Sequence, residues 1–269
     1  MITPIFIACG KRYVKCAAVA IETWLKYHFE IIYVVVDNEG QEILSKLFPH
    51  NHIALIPLKD YAELAKNDVG YHDFHSFEYD GDGEHSRLFS SLKPLIMDRV
   101  IADYAPDSKY VLSLDADVLF TGNILNRVRE ELDKVNHEFD LYMVERTDPR
   151  MLLVCDRSSG SGFTLWKRGS SFIKEFKSRY TKEFTGPRGG SQNLINLLLT
   201  IVPSHKFGDP FLHFVSPDEK NPDLTDEEIA TIHPAYIHLH GRGSYERLKR
   251  FQRVFEEARE NDEQEAEIA

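Results

Sequence analysis

The chain has 269 residues, 42% hydrophobic and 28% charged, with a formal net charge of -11. That is enough chain for a sizeable core in one α/β domain, with the composition of a soluble globular protein. Six of those charges come from the segment Phe255 to Ala269, where Glu256, Glu257, Glu260, Asp262, Glu263, Glu265 and Glu267 face only Arg259; the body is mildly acidic, which excludes long-range attraction to nucleic acid.

The opening MITPIFIACGKRY lacks a basic leader and a cleavage site, so it reads as a first strand, Ile5 to Ala8, rather than a signal peptide. Apolar residues at helical spacing predict a helix over Tyr13 to His28, and the run Ile31 to Val36 a strand buried on both faces. Asp37-Asn38-Glu39-Gly40 turns into a helix from Gln41 to Phe48, and His52 to Pro57 is a third strand. This β-α-β-α-β order implies a parallel sheet with helices on both faces. Cys9, Cys16 and Cys155 follow no regular spacing, which argues against a disulfide framework or a cysteine zinc site and fits a reducing, cytoplasmic location. No run of about 18 apolar residues predicts a membrane span.

The pattern weakens from Asp60 to Glu84. Tyr71 to His85 is polar and aromatic and reads as a long loop, a lid or acceptor-side element. Its Asp80-Gly81-Asp82-Gly83 is not a calcium loop, because Ser91 stands where the twelfth-position Glu belongs. A helix follows over Leu92 to Tyr104 with Pro94 in its first turn, then a strand, Tyr110 to Leu114, that runs directly into Asp115-Ala116-Asp117. Beyond it we expect a helix at Ile124 to Leu132, strands at Phe139 to Val144 and Gly160 to Trp166, and a helix at Phe172 to Tyr180. A glycine-rich loop, Thr185 to Gly190, a helix at Gln192 to Leu199, a strand at Tyr236 to His240 and a helix at Tyr245 to Glu257 complete the pattern. The basic cluster Arg242, Arg247, Lys249, Arg250 and Arg253 is expected on a solvated helix face, with weak peripheral membrane contact as the alternative. With no repeat or linker, residues 1–254 read as one domain and 255–269 as a frayed or disordered acidic tail.

The chemistry concentrates at Asp115 and Asp117. A buried strand delivers both carboxylates at its C-terminal end, where open α/β sheets bind ligands, and the i, i+2 spacing points both to one side. Two close carboxylates repel, and Mg²⁺ or Mn²⁺, which favours oxygen ligands, relieves that repulsion and bridges the phosphates of a nucleotide diphosphate. The plainer alternative is a strand-end turn in which the Asp residues cap the next segment.

Five patches resemble GT-A-type glycosyltransferases, glycosyltransferase family 8 in particular, which includes glycogenin and bacterial galactosyltransferases. They are Ile5 to Ala18, Leu92 to Asp117 with its D-x-D, Ser161-Gly162-Phe163-Thr164-Leu165, Gly190-Ser191-Gln192-Asn193, and His238-Leu239-His240-Gly241. The resemblance implies a GT-A-like, Rossmann-type α/β fold with a mixed, mostly parallel sheet and helices on both faces. It implies a UDP-sugar donor, a saccharide or other hydroxyl acceptor, and transfer with retention. It places Ala8, Cys9 and Tyr13 at the nucleotide, Lys93 or Arg87 as the basic contact, and Asp115, Asp117 and His238 on Mn²⁺ or Mg²⁺, with Ala116 between the carboxylates. Departures are Gly160 for the family's Asn, Ser191 for an Asp beside the donor sugar, and Gly241-Arg242-Gly243 for the Lys-Pro pair that grips pyrophosphate, where Arg242 supplies a cation and the glycines admit phosphate.

Strand alternation puts His238 and His240 on one face, so either can be the third ligand, and the spacing to Gly241 favours His238. Gln192 is a candidate to stabilise oxocarbenium charge, or else makes a local helix-end hydrogen bond. Arg188 closes over phosphate or is solvated, and Asp148 or Asp156 orients an acceptor hydroxyl or is solvated. Three rivals remain. A haloacid dehalogenase-type phosphatase would use Asp115 as nucleophile, but its motif belongs on the first strand and its later acidic pair is absent. A nucleotidyltransferase would need a glycine-rich motif that Cys9-Gly10-Lys11-Arg12 does not provide. A non-catalytic nucleotide-sugar-binding relative would not need all of Asp115, Asp117 and His238.

Overall fold

A computed structural model of the chain describes residues 1–49, 51–61, 84–145, 159–180, 192–207, 211–214, 222–232, 234–239 and 243–268. The first half alternates as expected: β1 (Ile2–Ala8), α1 (Lys11–Tyr27), β2 (Ile32–Val36), α2 (Asn38–Leu47) and β3 (Ile53–Pro57). Then come α3 (Glu84–Tyr104), β4 (Tyr110–Leu114), β5 (Val118–Phe120), α4 (Ile124–Lys134), β6 (Leu141–Glu145) and β7 (Ser159–Lys167). The last third holds α5 (Ser171–Arg179), α6 (Gln192–Leu198), β8 (Ser204–Phe207), β9 (Phe211–Phe214), α7 (Asp226–Thr231), β10 (Tyr236–Leu239) and α8 (Ser244–Ile268).

Seven strands form one sheet in the order β3-β2-β1-β4-β7-β6-β8, and β5-β10-β9 form a second, smaller one. In the large sheet β1 lies parallel to both β2 and β4, β2 parallel to β3, and β6 parallel to β8. Only β7 runs against its neighbours β4 and β6. The sheet is therefore mixed and mostly parallel. Crossing helices cover parallel strands, which explains the unbroken apolar runs of β2 and β4.

α1 joins the two sheets. Its Val14, Ala17, Ala20, Ile21 and Trp24 belong to the main core. Its Cys16 and Val19 face a second cluster with Leu119 of β5, Ile237 and Leu239 of β10, and Leu248 and Phe251 of α8. A helix buried on two faces holds the small sheet at a set position against the large one.

The structure corrects several expected boundaries. α3 starts at Glu84, so Pro94 lies inside the helix rather than in its first turn, and Glu84 and His85 are helical rather than loop. The rest of the expected Tyr71 to His85 loop lies outside the described residues. α8 continues to Ile268, so the acidic segment described to that point is helical, and its glutamates are compatible with helix. The strands β5, β8 and β9 and the helix α7 were not expected. They span three to six residues each, too few for periodicity to register.

His28, just past the end of α1, ties that helix to α4. Its Nδ1–H donates to the Trp24 carbonyl at 3.1 Å, which leaves Nε2 to accept the Ile124 N–H at 3.0 Å. The ring stacks on Trp24 at 3.6 Å. Burial pushes the imidazole down to about 4, against a partial opposing effect of its bond to Trp24. Between about 6.5 and 4 the unfolded chain takes up a proton that the folded chain refuses. This contribution is therefore complete above about 6.5 and is lost as pH falls towards 4. We expect urea denaturation to show a fall of about 3 kcal/mol from this group across that window, and a shallower fall in His28→Gln.

Candidate active site

β4 is buried along its whole length between β1 and β7. The chain leaves it at Asp115, whose N–H donates to the Gly162 carbonyl of β7 at 2.9 Å, and three residues on, at Val118, enters β5 of the small sheet. Asp115-Ala116-Asp117 is thus the crossing between the two sheets. The antiparallel pairing of β10 with β5 puts His238 opposite Val118, and the Leu239 N–H donates to the Asp117 carbonyl at 3.0 Å.

This register brings three side chains together. His238 Nε2 lies 3.1 Å from Asp117 Oδ1 and 3.3 Å from Asp115 Oδ2. One ligand atom from each of Asp115, Asp117 and His238 falls within a group no more than 4.8 Å across. Asp117 and His238 are buried at 3% and 2% exposure, whereas the Asp115 side chain is 28% exposed and forms the open edge. Lys93 of α3 reaches the same carboxylate, with Nζ 2.5 Å from Asp115 Oδ1.

Gly162 is required by this packing. A Cβ there would sit 2.2 Å from His238 Nδ1 and 2.9 Å from Asp115 Oδ2. The set of two carboxylates and one imidazole suits a divalent cation of the Mn²⁺ or Mg²⁺ type. Two anionic side chains converge from a crossing that backbone hydrogen bonds hold in place, so the residues present fit such an ion.

Ala8 and Cys9 are buried at the end of β1, beside this crossing. Burial first, and then the Asp37 carboxylate, push the Cys9 thiol well above its ordinary range, so it is not a nucleophile. Tyr13 is half-buried, and its hydroxyl is pushed up to about 12 by burial first and by Asp117 next, against the opposing Arg12 charge. The Arg12 guanidinium lies 5.5 Å from the centre of the Tyr13 ring. Gln192 is the first residue of α6. Gly241, Arg242, His240, Arg188, Ser191, Asp148 and Asp156 lie outside the described residues.

Three participants were not anticipated in these roles. Asp37 does more than begin a turn: it accepts the N–H groups of Gly10 and Gly40, both at 2.7 Å, and so pins the β1–α1 turn, where Gly10 holds φ 78°. Gly162 appeared only as part of a matched segment, with no hint that an imidazole fills its missing Cβ. Tyr236 donates its buried hydroxyl to the Gly162 carbonyl at 2.8 Å. Burial, reinforced by Asp115 and Asp117, raises that hydroxyl well above its ordinary range, so it stays a donor. The same alternation that put His238 and His240 on one face would have placed Tyr236 there as well.

No known sequence family matches the chain, and no curated protein matches it. Among solved structures it is similar to mouse xyloside xylosyltransferase 1 in its apo form, with a TM-score of 0.59 and 13% identity over 91% of this chain and 99% of that one. It is similar to a glycosyltransferase involved in glycosylation of the major capsid of PBCV-1, with a TM-score of 0.52 and 12% identity over 93% and 98%. It is also similar to the galactosyltransferase LgtC in complex with donor and acceptor sugar analogues, with a TM-score of 0.50 and 14% identity over 94% and 95%. The fold is of the GT-A type. In this GT-A fold the D-x-D leaves the fourth strand, in the middle of the large sheet, rather than the first strand that the phosphatase rival requires. Among the described residues no helix is long and apolar enough to cross a membrane.

Proposed function

We propose that this protein is a metal-dependent glycosyltransferase of the family 8 kind. It moves a sugar from a nucleotide-diphosphate donor, UDP-sugar foremost, to a hydroxyl acceptor with retention of configuration. The observation that carries this reading is the convergence of Asp115, Asp117 and His238 at the crossing between the two sheets of a GT-A fold. We take His238 as the third ligand, a reading supported by its Nε2 lying 3.3 Å from Asp115 and 3.1 Å from Asp117.

Mn²⁺ or Mg²⁺ held by these three residues would neutralise charge on the departing diphosphate. The protein's own groups do the rest. Ala8, Cys9 and Tyr13 line the base and ribose side, with the turn between them held by Asp37. Lys93, already against Asp115, adds a positive charge beside the phosphates, and Gly241 and Arg242 add backbone and guanidinium contacts. Gln192, neutral and the first residue of α6, is the group we assign to stabilising oxocarbenium charge. The acceptor approaches over residues 71–85 and the segment from Asp148.

A thermal-shift panel of nucleoside diphosphates and nucleotide-sugars, each with and without Mn²⁺, tests the reading, since a true donor stabilises the folded state by mass action. UDP and at least one UDP-sugar are expected to raise Tm only when Mn²⁺ is present, by an amount equivalent to about 2.7 kcal/mol at a hundredfold excess over Kd. A panel in which no nucleotide shifts Tm with metal present overturns the donor assignment.

A further inference from the structure

We infer that Tyr236 and Gly162 are positioning residues for the cation site, holding Asp115 and His238 at the separation a divalent ion needs. This rests on the metal-site reading above and adds the parts that set its geometry. The Gly162 carbonyl accepts two hydrogen bonds, from the Asp115 N–H at 2.9 Å and from the Tyr236 hydroxyl at 2.8 Å. One oxygen therefore ties together the end of β4, β7 and β10. The Tyr236 ring is buried edge-on against Phe163 at 5.2 Å and tilted against Phe120 at 5.9 Å, so its hydroxyl has a fixed direction.

The same residue sets the distance on its other side. A side chain at Gly162 would overlap His238, with a Cβ 2.2 Å from Nδ1 and 2.3 Å from Cε1. His238 thus packs directly onto backbone, and its ring position follows the position of Gly162. Tyr236 and His238 are two residues apart on β10, and both face β7. A shift of the Gly162 carbonyl would move Asp115 through its N–H and His238 through direct packing, in a site where ligand atoms must keep close to fixed separations.

Tyr236→Phe removes one oxygen and keeps the ring. Mn²⁺ binding to the full-length, nucleotide-free protein, followed by electron paramagnetic resonance of the free ion, is expected to weaken about 10-fold. Gly162→Ala, which displaces the imidazole, is expected to weaken it about 100-fold. Tyr110→Phe, which removes a hydroxyl paired with His137 at 3.0 Å away from the site, is expected to leave Mn²⁺ affinity unchanged. Each site variant decides alone if the other does not fold. Unchanged affinity in a folded site variant overturns the inference, as does an equal loss in Tyr110→Phe. Failure of both site variants to fold also overturns it, because the role is then structural. Wild-type protein that binds no Mn²⁺ overturns the metal-site reading itself, a result distinct from all of these.

Discussion

Asp117→Asn is expected to lower sugar transfer by on the order of 10³-fold and to abolish the Mn²⁺-dependent rise in Tm. The substitution keeps shape and removes a charge. Asp117 is 3% exposed, its carboxylate lies 3.1 Å from His238, and its backbone carbonyl is already bonded to the Leu239 N–H. The fold has no reason to move. What is lost is one of two anionic ligands in a site shielded from water, where neutralising charge on the leaving group contributes several kcal/mol; about 4 kcal/mol corresponds to about 10³-fold. Steady-state kinetics with the best donor from the panel, together with thermal shifts with and without Mn²⁺, check this. Full turnover in Asp117→Asn would show that the reaction does not depend on this carboxylate.

Trp24→Ala is expected to cost about 3–5 kcal/mol of stability, the range for deleting a large buried aromatic. Trp24 is fully buried in α1, stacks on His28 at 3.6 Å and meets the edge of Phe120 of β5 at 5.1 Å. Its indole N–H donates to the Glu30 carbonyl at 3.0 Å. Truncation opens a cavity where α1, β5 and the start of α4 meet, and admits water to the imidazole. The acid-side loss of stability expected from His28 should shrink in the same variant, because burial is what holds that imidazole low. Urea denaturation at neutral pH and near pH 5 reads both effects. A loss under about 1 kcal/mol would mean that the surrounding core collapses into the space.

Much of the large sheet was legible because its signals are local. Ile32–Val36 and Tyr110–Leu114 are continuous apolar runs bounded by polar turns, and the helix between the first two strands shows an apolar stripe at 3.6-residue spacing. Boundaries were less legible. The helix was expected to start at Leu92, with Pro94 in its first turn, yet α3 begins eight residues earlier, at Glu84, because tertiary context overrides a local propensity signal. In the sequence β5 is only an apolar tripeptide after the carboxylates. Its identity as a strand depends on hydrogen bonds to Tyr236, Ile237 and His238, partners no local window contains.

By itself the sequence determined that a buried strand ends in two carboxylates on one side, since an apolar run and an i, i+2 spacing are properties of neighbouring residues. Only the tertiary structure decided that His238 meets them, that Gly162 must lack a side chain, and that Tyr236 anchors the Gly162 carbonyl. His238 and Asp117 are 121 positions apart. Their approach is set by the register of β10 on β5 and by α1 wedged between two sheets. Register on that scale comes from packing and pairing summed over the whole chain, which no segment encodes alone.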